Sequence, residues 1–363
     1  MKRFLSSCAR LPRVVFAVGV AALLASLAVP ACAVTIDMVT VGNPGNANDT
    51  TSYGGVSYSY QIGKYDVTIG QYTNFLNAVA ATDTYSLYNA SMATDLNVAG
   101  IARTGVSGSY TYSVITNGGN SANRPITYVN WFDSARFANW MANGQPTGAQ
   151  SSTTTENGAY NVNGATSGDV PARNVTNPNT GAAPTFFIPN QNEWYKAAFY
   201  SPTLNSGSGG YYTYATQSNT VPGNVIGSGA NQTNYPADGV FSVTQSGDYS
   251  ASQNYLTDVG AFSGSGSFYG TFDQSGNVWQ WNDLDGTPGS SRGLRGGSWY
   301  DDVSYLASSG GLEANPAGGD VMEFTVGLRL VSGVAVPEPS TYAMALVGLA
   351  CGGYTMFRRR KRA

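Results

Sequence analysis

Histidine is absent from all 363 residues, and cysteine occurs only as Cys8, Cys32 and Cys351, each in an apolar stretch near one end of the chain. Those two absences exclude whole classes of chemistry between residues 34 and 335. No disulfide framework, thiolate nucleophile or Ser-His-Asp arrangement can exist there, and the imidazole and thiolate ligands of ordinary zinc and copper sites are missing. What remains is oxygen chemistry from Asp, Glu, Asn and backbone carbonyls. Charge is scarce as well. Residues 34–335 hold nine Lys or Arg against twenty Asp or Glu, a formal charge of −11. Nucleic acid would be repelled by such a surface. The other basic residues collect at the two ends, so the overall charge of −3 hides the distribution.

In place of charge, the chain is rich in Gly, Ser, Thr, Asn and Tyr. With 12% aromatic residues, this composition reads as a secreted, loop-rich fold with a sizeable core rather than as disorder. The ends are different objects. Lys2, Arg3, Arg10 and Arg13 precede the apolar run Val14 to Val29, which closes at Pro30-Ala31-Cys32-Ala33. A basic region, a short apolar region and an Ala31-x-Ala33 site predict a signal peptide over 1–33, exported by the Sec machinery and cut by signal peptidase after Ala33. A retained N-terminal anchor is the plainer alternative, and Cys32 invites a lipoprotein reading that Pro30 fits poorly. At the other end, Val336-Pro337-Glu338-Pro339-Ser340 precedes the apolar run Thr341 to Phe357 and then Arg358-Arg359-Arg360-Lys361-Arg362. At about 1.5 Å per residue the apolar run reaches roughly 26 Å, enough for a thin bilayer core. The basic cluster would stay cytoplasmic. A plain C-terminal anchor has the same hydropathy.

Between the ends, three helices are predicted. Thr68 caps a helix whose Tyr72, Phe75, Leu76 and Val79 form one apolar stripe. A second runs over 131–143, with Asn130 as cap, Phe137, Trp140 and Met141 as its buried stripe and Gly144 beyond its end. Asn190 and Glu193 form a capping box that opens a third, carrying Trp194, Ala197 and Ala198 and stopped by Pro202. Glu193 as a general acid is the competing reading of that residue. Val34 to Ser59 reads as strands and turns, and residues 83–123 as loops with small strands. Residues 145–184 read as a long surface insertion and 203–269 as turn-rich.

The most informative stretch is Phe272 to Trp281, followed by Arg295-Gly296-Gly297-Ser298-Trp299 and Val326-Gly327-Leu328-Arg329-Leu330. Trp279 and Trp281, one residue apart, place two large rings on one face of extended chain, a core signature. Upstream stand Tyr60 to Thr68, Arg124 to Trp131 and Ile188 to Trp194. In this order the motifs resemble the formylglycine-generating enzyme (sulfatase-modifying factor) family over about residues 58–331. The resemblance implies one α+β domain, here 34–333, with little regular secondary structure and a relation to C-type-lectin-like folds. Asp66-Val67-Thr68 stands where the family has Glu-Val-Thr.

In the family's active members, two cysteines shortly after Arg-Gly-Gly-Ser bind copper. Here Tyr305 to Glu313 contains neither, and the related histidine-bound iron enzymes fail for want of histidine, so no copper, zinc or iron is expected. The resemblance also implies calcium, with Asp273 and Gln280 as side-chain ligands and Gly276 and Val278 through their carbonyls. Gln280 replaces a family glutamate, and Asp273 an asparagine. A second implied site involves Asn234 and the Tyr235 carbonyl. The Pro-Glu-Pro segment, span and basic end over 334–363 resemble the PEP-CTERM sorting signal of Gram-negative bacteria, which implies an exosortase as partner. Two functions fit. One is a non-catalytic cell-surface or matrix module, with extracellular polysaccharide as a candidate partner. The other is an extracytoplasmic enzyme working through carboxylates such as Asp301 with Asp302 or Asp283 with Asp285.

Overall fold

The computed structural model describes residues 33–333 except 320 and 322. The expected signal peptide up to Cys32, with Ala31, and the Pro-Glu-Pro motif, the apolar segment and the basic end lie outside the described residues. Met38–Val41 (β1) pairs antiparallel with Tyr60–Gly63 (β2), Met38 opposite Gly63. Thr68 then opens Ile69–Val79 (α1) through a capping box. Its hydroxyl accepts from Gln71 N (3.2 Å), while Gln71 Oε1 accepts from Thr68 N (2.8 Å). Tyr72, Phe75, Leu76 and Val79 are buried, as their spacing predicts. Ser91–Thr94 (α2) and the hairpin Ile101–Thr104 (β3) with Thr111–Val114 (β4) supply the small elements of the following loops.

Trp131–Ala142 (α3) starts at an Asn130–Asp133 capping box, and Gly144 follows its end at φ +79°. The sequence predicts one buried stripe, yet all twelve residues are buried. The cause is a correction to the expected surface insertion: much of 145–184 folds over the outer face of α3, and Glu156, Tyr160, Val162 and Val170 are interior. A polar loop can be interior when its backbone groups find partners. Asn139 Nδ2 donates to the carbonyls of Thr155 (2.7 Å) and Tyr160 (3.0 Å). Arg136 makes a two-pronged pair with Glu156, Nε to Oε1 and Nη2 to Oε2, both 2.8 Å.

Gln191–Phe199 (α4) begins at the expected Asn190–Glu193 capping box and runs into the two-residue strands Tyr200–Ser201 (β5) and Gly210–Tyr211 (β6). The second main sheet holds Trp279–Asn282 (β7), Arg292–Arg295 (β8), Leu312–Ala314 (β9) and Val326–Gly327 (β10), in the order β10-β7-β8-β9. Val331–Ser332 (β11) returns to β2 and completes the first sheet. Trp279 and Trp281 point into the main core, and Gln280 and Asn282 on the other face are buried too. Strand β7 therefore has no solvent face. Among the described residues no helix is long and apolar enough to cross a membrane.

Candidate functional site

The distant motifs converge on the side chain of Arg329. Its Nε donates to Gln280 Oε1 (2.9 Å), Nη1 to the Gly63 carbonyl (2.6 Å) and Nη2 to the Phe272 carbonyl (2.6 Å), and Asp66 Oδ1 lies 3.5 Å from Nη2. Trp194 from α4 adds its Nε1–H to the same Gln280 oxygen at 2.7 Å. Gln280 in turn donates Nε2 to the Asp273 carbonyl (2.8 Å). Strand β2, α4, the Phe272 turn and β7 are thus locked together by one cation with no exposed surface.

Two carboxyls feel that cation, Asp66 as its ion-pair partner and Asp273 through space. Burial pushes Asp66 well above the usual carboxylate range, against the pull of Arg329, and its Oδ2 has no hydrogen-bond partner among the described residues. Asp273 is pushed up to about 6 by burial, against the Gly260 N–H (2.6 Å) and Arg329. Asp273 holds φ +61° and Gly276 φ +84° in the turn that feeds β7. A Cβ on Gly276 would overlap the Asn234 carbonyl, so only glycine fits there.

The residues implied for calcium lie in this neighbourhood, and they fit the ion unevenly. Gln280 does not fit, because its oxygen faces an indole N–H and a guanidinium. Asp273 fits better. It lines a cavity of about 10 Å³ together with Thr233 and Ser275, room for about one water-sized particle. Gly276 and Val278 follow in the same turn. In the second implied set, Asn234 Nδ2 donates to Asn277 Oδ1 (2.9 Å) and the Tyr255 carbonyl (3.0 Å). The Tyr235 carbonyl accepts from Ala237 N (3.0 Å) and Asn224 Nδ2 (3.2 Å). Asn234 N–H groups and the Tyr235 oxygen are thus spent on the fold. Among the described residues no group of three or more Asp or Glu gathers as a metal site.

Beyond the Arg-Gly-Gly-Ser motif, Asp301 Oδ2 accepts from Trp279 Nε1 (2.7 Å) and from the Ser298 hydroxyl. Burial raises its carboxyl, while those donors lower it. Asp302 caps its own turn through Ser304 N (2.9 Å). The other carboxylate pair divides in the same way. Asp283 accepts from Trp131 Nε1 (2.9 Å), Tyr160 Oη (2.5 Å) and Arg173 Nε (3.2 Å), whereas Asp285 accepts from Thr287 N (2.9 Å). Glu193 pairs with Arg173 at 2.8 Å and accepts from Tyr58 Oη at 2.8 Å. Burial would raise it, but Arg173 and the helix cap hold it below the usual carboxylate range. It is a cap and an ion-pair partner. Arg173 and Tyr160, which organise this cluster, come from the polar insertion. Arg173 stands out in the sequence only as one of nine cations in an acidic domain, and Tyr160 carries no such signal.

The family model for the sulfatase-modifying factor enzyme 1-like domain matches residues 38–334. The chain belongs to the sulfatase-modifying factor family. A second model, the PEP-CTERM protein-sorting motif, matches residues 335–361. It marks this family member as exported and sorted at the membrane by an exosortase. Solved structures similar to it include CarF, at 19% identity and a TM-score of 0.44, covering 83% of this chain and 99% of that one. Variable protein 1 of Treponema denticola has 16% identity and a TM-score of 0.41, covering 81% and 94%. PvdO from Pseudomonas aeruginosa has 14% identity and a TM-score of 0.38, covering 82% and 92%. No curated protein matches the sequence. The mixed helices and short strands among long turns are the α+β fold of low regularity that the family motifs imply.

Proposed function

We propose that the domain is a non-catalytic binding or scaffold module, released to the cell surface or extracellular matrix after exosortase processing, with extracellular polysaccharide as its partner class. The loop after Arg295-Gly296-Gly297-Ser298 carries this reading. Its buried carboxylate, Asp301, is spent on Trp279 and Ser298, and no cysteine or histidine occurs from residue 33 to 350. The family chemistry needs cysteine thiolates at that loop to hold copper, and oxygen ligands are a poor substitute for a soft metal. The purified chain supplied with copper is therefore expected to leave a cysteine-containing sulfatase peptide unchanged. Formylglycine formed at a rate proportional to added protein, detected by mass spectrometry, would refute it.

Release is tested in the producer. The mature chain is expected to end upstream of Thr341, with Arg358 to Arg362 gone. A protein still ending at Ala363, and unaltered by deletion of the exosortase gene, leaves a plain membrane anchor instead.

A weak calcium site at Asp273 belongs to the same proposal, supported by the raised carboxyl and the small polar cavity beside it. Because an ion that binds only the native state stabilises it by mass action, millimolar calcium is expected to raise the melting temperature by a few degrees, on the order of 1 kcal/mol. Asp273→Ala should abolish the shift. A melt indifferent to calcium and chelator alike makes Asp273 a turn residue only.

A further inference from the structure

Away from the Arg329 cluster, a groove of about 690 Å³ runs between the loop 43–50 and the β5–β6 hairpin, a volume typical of small-molecule clefts. Its described lining is mostly amide, hydroxyl and glycine backbone, with Pro44, Ala47 and Pro202 and the rings of Tyr200 and Tyr211. No Lys or Arg is among these residues. The carboxylate that lines it, Asp49, already accepts from Tyr195 Oη (2.5 Å) and Thr50 N (2.7 Å). The groove thus carries a single carboxylate and no lining cation.

Its walls are also fixed in place. Asn46 Nδ2 donates to Tyr211 Oη (2.6 Å), which donates onward to the Ala47 carbonyl (2.7 Å), so the hairpin and the loop hold each other. The two tyrosine rings meet edge to face at 5.1 Å. A Cβ on Gly54 would come within 2.6 Å of the Tyr211 ring, so that glycine lets the ring seat against the loop. Beneath the rim, buried Lys196 donates Nζ to the Asn43 carbonyl (2.8 Å), and burial pushes its ammonium down to about 8. The exposed amide of Asn48 uses its oxygen on Gly55 N (2.7 Å), and its Nδ2 has no partner among the described residues.

We propose that this groove binds a segment of an uncharged polysaccharide. Preorganised amides and hydroxyls can exchange water for sugar hydroxyls at little entropic cost, and a tyrosine ring offers a surface for the C–H face of a sugar. A polyanion would meet the acidic domain, and an apolar ligand would find amides where it needs hydrocarbon. The proposal names the ligand class of the binding module put forward above and rests on that reading.

The test is native affinity electrophoresis of the mature protein purified from its producer, in gels containing dextran, mannan, hydroxyethyl cellulose or, as polyanion, alginate. At least one neutral polymer is expected to retard the protein, and alginate is not. Asn48→Ala should weaken retention about fivefold, the worth of roughly one hydrogen bond. Ser208→Trp, a bulky block at an exposed lining residue, should weaken it by more than about tenfold, in line with 1.4 kcal/mol per decade, with the melting temperature unchanged. Retention only in alginate, or in no gel, overturns the proposal. Retention by a neutral polymer that survives both substitutions overturns the groove but leaves a binding module elsewhere. The formylglycine assay judges the non-catalytic reading separately.

Discussion

Glu156→Ala is expected to lower the unfolding free energy by about 3–5 kcal/mol, the usual cost of leaving a buried charge without its partner. Glu156 receives the two bonds of Arg136, the Thr155 hydroxyl (2.8 Å) and Gly164 N (2.8 Å). Arg136 is fully buried, stands over the Tyr85 ring at 4.5 Å and has an Nη1 without a partner among the described residues. Removing the carboxylate strands the guanidinium in the core and unties the polar segment that covers α3. Urea denaturation of wild type and variant measures the loss. Glu156→Gln, which keeps acceptors for some of these donors, should cost less. A change below about 1 kcal/mol, typical of an exposed pair, would mean that water reaches Arg136 and that the segment is not a true part of the core.

Arg329→Met should be comparably damaging, again about 3–5 kcal/mol. Methionine replaces the volume but satisfies neither Asp66, one of whose oxygens is already unpartnered, nor the oxygens of Gln280, Gly63 and Phe272. The effect should depend on the acid beside it. In the double variant Asp66→Asn with Arg329→Met no carboxyl remains at position 66 to be left without its partner, so part of the loss should return, and the double-mutant cycle gives the coupling. A cycle in which the two losses simply add would show that Arg329 supports the backbone carbonyls alone and that Asp66 contributes nothing to the pairing. The same arrangement explains the glutamine in Gly-Asn-Val-Trp-Gln-Trp. With Asp66 already paired to that guanidinium and the buried Asp273 carboxyl close by, a further carboxylate at position 280 would add to the buried acid, whereas an amide accepts from Arg329 and Trp194 and donates to the Asp273 carbonyl without adding charge.

Local rules carried the sequence a long way. Each long helix begins where a Thr or Asn cap stands three residues before a Gln, Asp or Glu, because both bonds of a capping box form within four residues of chain. The Trp279–Trp281 pair is buried for an equally local reason, the two-residue period of extended backbone carrying two large apolar rings to one face. The order of the motifs was enough to place the chain in its family, and the end segments were enough to mark it for sorting.

Tertiary structure decided the rest, because the deciding bonds join residues that no local pattern relates. Gln280 and Arg329 are 49 positions apart, and Asp66 and Arg329 263. From residue type alone the Gln280 oxygen serves a cation or a guanidinium equally well, and only the fold sets it against Arg329 and Trp194. In the same way, Thr, Asn and Gly in 145–184 read as surface because polar groups cost free energy when buried unpaired. That cost disappears once Asn139 and Arg136 supply the partners, and no feature of the segment itself says that they will.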